Sequence, residues 1–132
     1  MGATARSLDT WMACLPWPAP ELSPNARNHW ATTAKGRKAY RRACWLAALE
    51  RGGRPAGNAP WEVEYQFQPP PRARRSDEDN LVARMKSGLD GVCDALEIND
   101  QDLRIAGVSY GAPDPFGCVW IRIRPSAGKD RP

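Results

Sequence analysis

Alternating apolar and polar residues mark the strands of this chain. The run WEVEYQFQ, from Trp61 to Gln68, has an apolar residue at every second position, which is typical of a strand with one buried face. The run TWMACLPW, from Thr10 to Trp17, is short, apolar and aromatic, and it contains Pro16 and is followed by Pro18. Because proline cannot donate to a sheet ladder, we expect this first strand to lie at a sheet edge.

Two longer stretches have a helical period instead. His29 to Arg51 predicts a helix with a core face formed by Tyr40, Cys44 and Ala47, and the Gly/Pro-rich segment that follows ends it. Asp79 to Leu96 predicts a second helix, with Ser76 as a candidate N-cap. Its apolar stripe consists of Leu81, Val82, Met85, Leu89, Val92, Cys93 and Leu96.

The C-terminal third predicts two antiparallel strands, Leu103 to Tyr110 and Cys118 to Arg124, joined by a turn rich in Gly and Pro. The order is then strand, helix, strand, helix, strand, strand. This order indicates a single α+β domain with a small mixed sheet of about four strands and two main helices. We expect the domain to cover residues 10–124, with residues 1–9 a disordered leader and residues 125–132 a flexible tail.

Composition narrows the functional classes. The 132 residues suffice for one core, and a net charge of +4 with a pI of about 9.1 favours an anionic partner. The four cysteines are far apart and the chain has one histidine, which argues against zinc and favours reduced, buried cysteines. With no apolar core at its start and no long apolar run, we expect a soluble, cytoplasmic protein.

One acidic stretch carries the candidate chemistry. Asp77 and Asp79 are two residues apart, so on an extended segment their carboxylates point the same way and converge on a cation such as Mg²⁺. Along the following helix, Lys86 and Asp90 fall on the same side as Asp79, within roughly 60°. A second acidic patch contains Asp100 and Asp102.

Each of these residues also has an ordinary structural explanation. Asp77, Glu78 and Asp79 favour a helix N-terminus through its dipole, Asp100 and Asp102 suit a turn, and Lys86 suits a solvated surface. His29 suits a loop or cap better than a ligand, and the tryptophans suit a core. The arginines just ahead of the first acids, together with the second acidic patch, favour the functional interpretation.

The motifs resemble those of the RusA-type Holliday-junction resolvases. The family has Asp-x-Asp-Asn, a lysine on the next helix, an Asp-Gly or Asp-Ala pair and a terminal Asp-Asp, and an opening Leu-Pro-x-Pro followed by an Asn-rich loop. The matching segments of this chain are Leu15-Pro16-Trp17-Pro18, Ser23-Pro24-Asn25, Asn28-His29-Trp30, Asp77-Glu78-Asp79-Asn80, Lys86, Leu89-Asp90-Gly91-Val92 and Asn99-Asp100.

The resemblance implies a Mg²⁺-dependent endonuclease that resolves four-way DNA junctions by paired symmetric nicks, with Mn²⁺ as a possible substitute. It implies that Asp77, Asp79 and Asp100 hold the metal, that Lys86 is the catalytic lysine, and that the protein acts as a homodimer. A two-fold symmetric junction requires two symmetry-related sites for matched nicks. Basic residues are candidates to hold backbone phosphates: Lys35, Arg37, Lys38, Arg41, Arg42, Arg72, Arg74 and Arg75.

Two alternatives stay open. A non-catalytic nucleic-acid-binding module would keep the basic surface and never nick DNA, in chelator or in Mg²⁺. A Mg²⁺-dependent nuclease of another kind would cut flaps or linear duplex rather than junctions.

Overall fold

A computed structural model describes residues 10–24, 30–73 and 78–126 of the chain. The helices and strands match the predicted positions to within a few residues. In chain order they are β1 (Trp11–Pro16), a 3₁₀ turn (Pro20–Leu22), α1 (Trp30–Arg51), β2 (Trp61–Gln68), α2 (Glu78–Arg84), α3 (Lys86–Leu96), a second 3₁₀ turn (Asp100–Asp102), β3 (Leu103–Tyr110) and β4 (Cys118–Pro125).

The four strands form one mixed sheet in the order β1-β4-β2-β3. β4 is antiparallel to both of its neighbours, β1 and β2, whereas β2 and β3 are parallel. β1 lies at an edge, as its prolines predicted. The α+β class, the single domain and the small mixed sheet are therefore confirmed.

The last two strands run in opposite directions, but they are not neighbours. β2 lies between them, because β3 follows β2 through two helices and such a crossover joins parallel strands. β3 is the more polar and exposed strand and takes the free edge, whereas β4 buries Val119, Ile121 and Ile123 and takes a central position.

The second predicted helix is interrupted. Met85 separates α2 from α3 and is fully buried, so the stripe of apolar residues continues across the break although the helix does not. The first helix is confirmed from Trp30 to Arg51, although the buried alanine on its core face is Ala48 and the predicted Ala47 is half-buried.

Both main helices pack on one face of the sheet. The alternate apolar residues of β2 meet Tyr40 and Cys44 of α1 and the stripe of α3 in a single core. The alternation of β1 turns Cys14 outward, so this cysteine is exposed although we expected a buried one; the other three are buried, and all four are free. Trp30 is also exposed (75 %) rather than in the core.

The segments predicted to flank the domain lie largely outside the described residues. The expected leader (1–9) and most of the expected tail (127–132) lie outside the described residues, as do Ser76, His29 and the Asn-rich loop (25–28). β4 continues to Pro125, and the backbone N–H of Ser126 donates to Pro60 O at 2.8 Å, one to two residues beyond the expected boundary. None of the helices in the described ranges combines the length and apolarity needed to cross a membrane.

Candidate active site at the start of α3

Lys86, the first residue of α3, lies between two carboxylates. Its Nζ is 3.3 Å from Asp90 Oδ1, one helical turn away, and 3.6 Å from Asp100 Oδ2, which belongs to the second acidic patch. The Lys86 side chain is 67 % exposed and that of Asp100 is 47 % exposed. The predicted lysine and the predicted terminal aspartate therefore meet at one solvent-accessible point.

The C-terminal end of α3 returns the chain toward Lys86. Glu97 adopts a left-handed conformation (φ 59°), its N–H donates to Asp94 O, and the N–H of Ile98 donates to Cys93 O at 3.1 Å. This pattern is that of a Schellman cap, which reverses the chain direction. Asp100 then begins the short 3₁₀ turn that precedes β3, so it is a turn residue and a Lys86 contact at once.

The surrounding charges keep Lys86 protonated. The hydrogen bond to Asp90 is the largest cause that raises the pKa of Lys86, and the charge of Asp100 acts in the same direction. A lysine held in this state is a fixed positive charge and not a general base.

A second ion pair flanks this point. Arg41 of α1 donates to Asp94 Oδ2 from Nε (3.0 Å) and Nη2 (2.6 Å). Asp94 is the largest cause that raises the pKa of Arg41, and Asp90 and Asp100 add to it. Arg41 and the three carboxylates Asp90, Asp94 and Asp100 line a cavity of about 380 Å³.

Of the other two carboxylates predicted to hold a metal, the structure describes Asp79 but not Asp77. Asp79 is exposed in the first turn of α2, and Asp77 lies outside the described residues, so the predicted triad with Asp100 stays a prediction. In residues 10–24, 30–73 and 78–126, no group of three or more His, Cys, Asp or Glu side chains is arranged to hold a metal. Asp90 and Asp100 do converge on the ammonium of Lys86. Carboxylate oxygens such as theirs are also the ligands that Mg²⁺ takes.

Residues of the resembling motifs bond to one another across the fold. Ser23 Oγ donates to Asn80 Oδ1 at 2.6 Å, which joins the Ser-Pro-Asn segment to the Asp-x-Asp-Asn segment. Tyr40 Oη donates to Pro16 O at 2.7 Å, and buried Arg84 donates to Pro18 O and lies over the Trp17 ring at 5.8 Å. The Leu-Pro-Trp-Pro segment is thus fixed to α1 and α2.

The predicted DNA-binding residues that the structure describes lie on α1 and just after β2. Arg37 and Arg41 both lie on the side of α1 that faces α3. Arg37 lines a cleft together with Lys86, and Arg41 forms an ion pair with Asp94. Because a helix advances by about 100° per residue, the exposed Lys35, Lys38 and Arg42 lie on another side of α1. Arg72 is exposed after β2, and Arg74 and Arg75 lie outside the described residues.

The sequence prediction omitted Asp90, Asp94 and Asn80 from the site. For Asp90 a signal was present, because its spacing of four from Lys86 is that of an ion pair on a helix. For Asn80 the Asp-x-Asp-Asn motif was a signal, although its bond with Ser23 was not predictable, and for Asp94 there was none, since its partner Arg41 is distant in the sequence.

Comparison with known proteins assigns no family to the chain. The chain is 41 % identical over 91 residues to an uncharacterized protein of Xylella fastidiosa (strain Temecula1 / ATCC 700964). The matched part is 66 % of this chain and 58 % of that protein, so the chain spans little more than half the length of its relative. No protein-family model matches the chain.

Proposed function

We propose that the protein is a Mg²⁺-dependent endonuclease of the RusA type that resolves four-way DNA junctions. The observation that carries the proposal is the 3.6 Å contact between Lys86 and Asp100. It joins the first residue of α3 to a motif residue that follows the end of α3 in the chain, and it does so at an exposed point of a basic protein.

In this proposal Asp79 and Asp100, with Asp77, hold the metal, which supplies activation of a water and stabilisation of the leaving oxygen. Asp90 orients the Lys86 side chain through the helical pair at 3.3 Å and keeps its ammonium protonated. Lys86 then offers a fixed positive charge to the phosphate, where negative charge builds up in the transition state. Exposed cations on α1 and after β2 hold the flanking backbone.

Two further features belong to the proposal. A four-way junction is two-fold symmetric, so paired nicks require a homodimer with one site in each copy. The expected compartment is the cytoplasm, with reduced cysteines.

The test is cleavage of a synthetic four-way junction by the purified chain in Mg²⁺ and in chelator, beside a flap and a linear duplex of the same sequence. Cleavage of the junction by paired nicks, in Mg²⁺ or Mn²⁺ only, is the expected result. Preferential cleavage of the flap or the linear duplex would indicate the other kind of Mg²⁺-dependent nuclease.

A second candidate function is a non-catalytic nucleic-acid-binding module. The observation that favours it is a set of exposed cations on α1 that would hold a nucleic-acid backbone without any metal: Lys35, Arg37, Lys38 and Arg42. Such a module would bind the junction equally well in Mg²⁺ and in chelator and would leave both strands intact.

A further inference from the structure

A second cleft has Lys86 in its wall. Its volume is about 560 Å³, and it lies between α1, the end of α2 and the first turn of α3. We call it the Ser87 cleft; its lining residues are Leu22, Pro24, Arg37, Val82, Ala83, Arg84, Lys86, Ser87 and Asp90.

Ser87 gives this cleft a polar group without a partner. Its Oγ is buried, and it forms no hydrogen bond with any described residue. A buried hydroxyl without a partner costs stability, and such a group is ordinarily satisfied by protein, by water or by a ligand. Ser87 lines the cleft, and rotation about its Cα–Cβ bond would turn the buried Oγ toward the cleft, where a ligand could supply that partner.

The charge of the cleft selects an anion. Three cationic side chains, those of Arg37, Arg84 and Lys86, line it against one carboxylate, that of Asp90. Arg84 already donates to Pro18 O, and Lys86 bonds to Asp90. Arg37 has no carboxylate partner among the described residues, in contrast to Arg41 one turn further along α1.

The apolar part of the lining fits a nucleic-acid backbone better than a free inorganic anion. Leu22, Pro24 and Val82 supply an apolar wall beside the cations. A phosphodiester carries a sugar on each side of the charged group, so a cleft with a cationic centre and an apolar wall accommodates both parts.

We propose that the Ser87 cleft is a backbone-phosphate subsite, in which Ser87 donates its hydroxyl to a DNA phosphate that Arg37 also binds, next to Lys86. This inference rests on the proposed function and adds Ser87 to it as a positioning residue. The subsite would set the path of the strand past the Lys86–Asp100 pair.

The first test is Ser87→Ala, with binding to the four-way junction measured in Ca²⁺ so that cleavage does not interfere. We expect the affinity to fall by roughly threefold to tenfold, the loss of one hydrogen bond to the ligand. The slope of log K against log salt should not change, because no charge is lost. The melting temperature should stay the same or rise, because the buried hydroxyl has been removed. The matched control is Ser109→Ala, on the exposed strand β3.

The second test is Arg37→Gln, for which the salt slope should decrease by about one, as expected for one lost phosphate contact. The matched control is Arg54→Gln, which lies past the far end of α1, at least roughly 20 Å from Arg37 at 1.5 Å per residue. Arg54 is paired with Glu97 at 3.6 Å, and its replacement should leave the salt slope unchanged.

These measurements distinguish a failure of the subsite proposal from a failure of the proposed function. If the wild-type protein binds and cuts the junction while Ser87→Ala binds it with unaltered affinity, the subsite is wrong and the function stands. A Ser87→Ala protein with a lowered melting temperature would also contradict the subsite, because it would assign Ser87 a structural role. If the wild-type protein neither binds nor cuts the junction, both proposals fail.

Discussion

The α-carbon of Gly91 in α3 lies directly against the backbone carbonyl of Arg41 in α1. A Cβ at Gly91 would overlap the Arg41 carbonyl oxygen and lie 3.1 Å from the Trp45 backbone nitrogen. At the neighbouring turn, a Cβ at Gly88 would lie 2.8 Å from Cys44 Sγ. The two helices therefore cross with their backbones in contact, which brings the carboxylates of α3 next to Arg41.

Gly91→Ala should separate these helices. We expect the free energy of unfolding to decrease by about 1–3 kcal/mol, because the neighbour of the new methyl group is backbone and cannot rotate away. Urea denaturation measures the change. Gly107→Ala is the control, since its Cβ would have its nearest contact at 3.6 Å and should be close to neutral. Equal stability of Gly91→Ala and the wild-type protein would show that the helices do not cross this closely.

Glu97→Gly should stabilise the protein. Glu97 is held in the left-handed region (φ 59°), where a side chain is unfavourable and glycine is not. We expect a gain of about 0.5–1 kcal/mol in the free energy of unfolding, after the greater entropy of unfolded glycine is subtracted.

The control for this prediction is Glu50→Gly in the last turn of α1, which should instead destabilise the protein by about 1 kcal/mol. The ion pair between Glu97 and Arg54 is exposed, so its loss should contribute little. Destabilisation by both glycines would contradict the cap.

Stability should depend on pH through Glu64 on the open face of the sheet. Its hydrogen bond from Arg124, 3.0 Å long, is the largest cause that lowers the pKa of Glu64 below the ordinary value of 4.5. A carboxylate with a lowered folded-state pKa stabilises the protein above its unfolded pKa and loses that contribution as the pH falls through the folded value.

The stability difference between the wild-type protein and Glu64→Gln should therefore be largest near neutral pH and decrease below about pH 4.5. Denaturation at a series of pH values measures it, and added salt should reduce it, because Glu64 is partly exposed. A difference that grows on acidification would have the wrong sign for this ion pair.

Thiol reactivity should follow burial. Burial raises the pKa of Cys44 and of Cys93 to about 12, and the thiolate is the reactive form. Cys14 is exposed on the outer side of β1. In the native protein we expect iodoacetamide to alkylate Cys14, and Cys44 and Cys93 only after unfolding, as mass spectrometry of the peptides would show. Labelling of Cys93 at the rate of Cys14 would contradict the packing of α3.

Sequence patterns predicted elements better than their arrangement. The bounds of β2 and β3 follow from composition and alternation, which are local properties. The position of β4 between β1 and β2 does not follow from local properties, because it depends on which strands pair with one another in the folded sheet. The length of the segment between β2 and β3 did carry a signal for a parallel pair. The break at Met85 had none, since the apolar stripe continues through it.

In the site, too, contacts between residues close in the sequence were predictable and contacts between distant residues were not. The pairing of Lys86 with Asp90 follows from helical spacing, whereas the approach of Asp100 depends on the left-handed cap at Glu97, a residue type that gives no cap signal. The phosphate-binding role of Arg41 stays a prediction; its ion pair with Asp94 gave no signal in the sequence, because Asp94 belongs to another helix. Ser87 gave no signal because its environment exists only in the folded chain.

The most direct test of the account is single-turnover cleavage of a synthetic four-way junction in Mg²⁺ by the wild-type protein, Asp79→Asn, Asp100→Asn and the control Asp102→Asn. Binding is measured in parallel in Ca²⁺. We predict that Asp79→Asn and Asp100→Asn bind the junction but cut it at least about 10²-fold more slowly, the scale of a lost electrostatic contact to the transition state. Asp102→Asn, in the same 3₁₀ turn as Asp100, should cut normally. Wild-type cleavage rates in Asp79→Asn or Asp100→Asn, or no Mg²⁺-dependent cleavage by the wild-type protein, would contradict the proposed function.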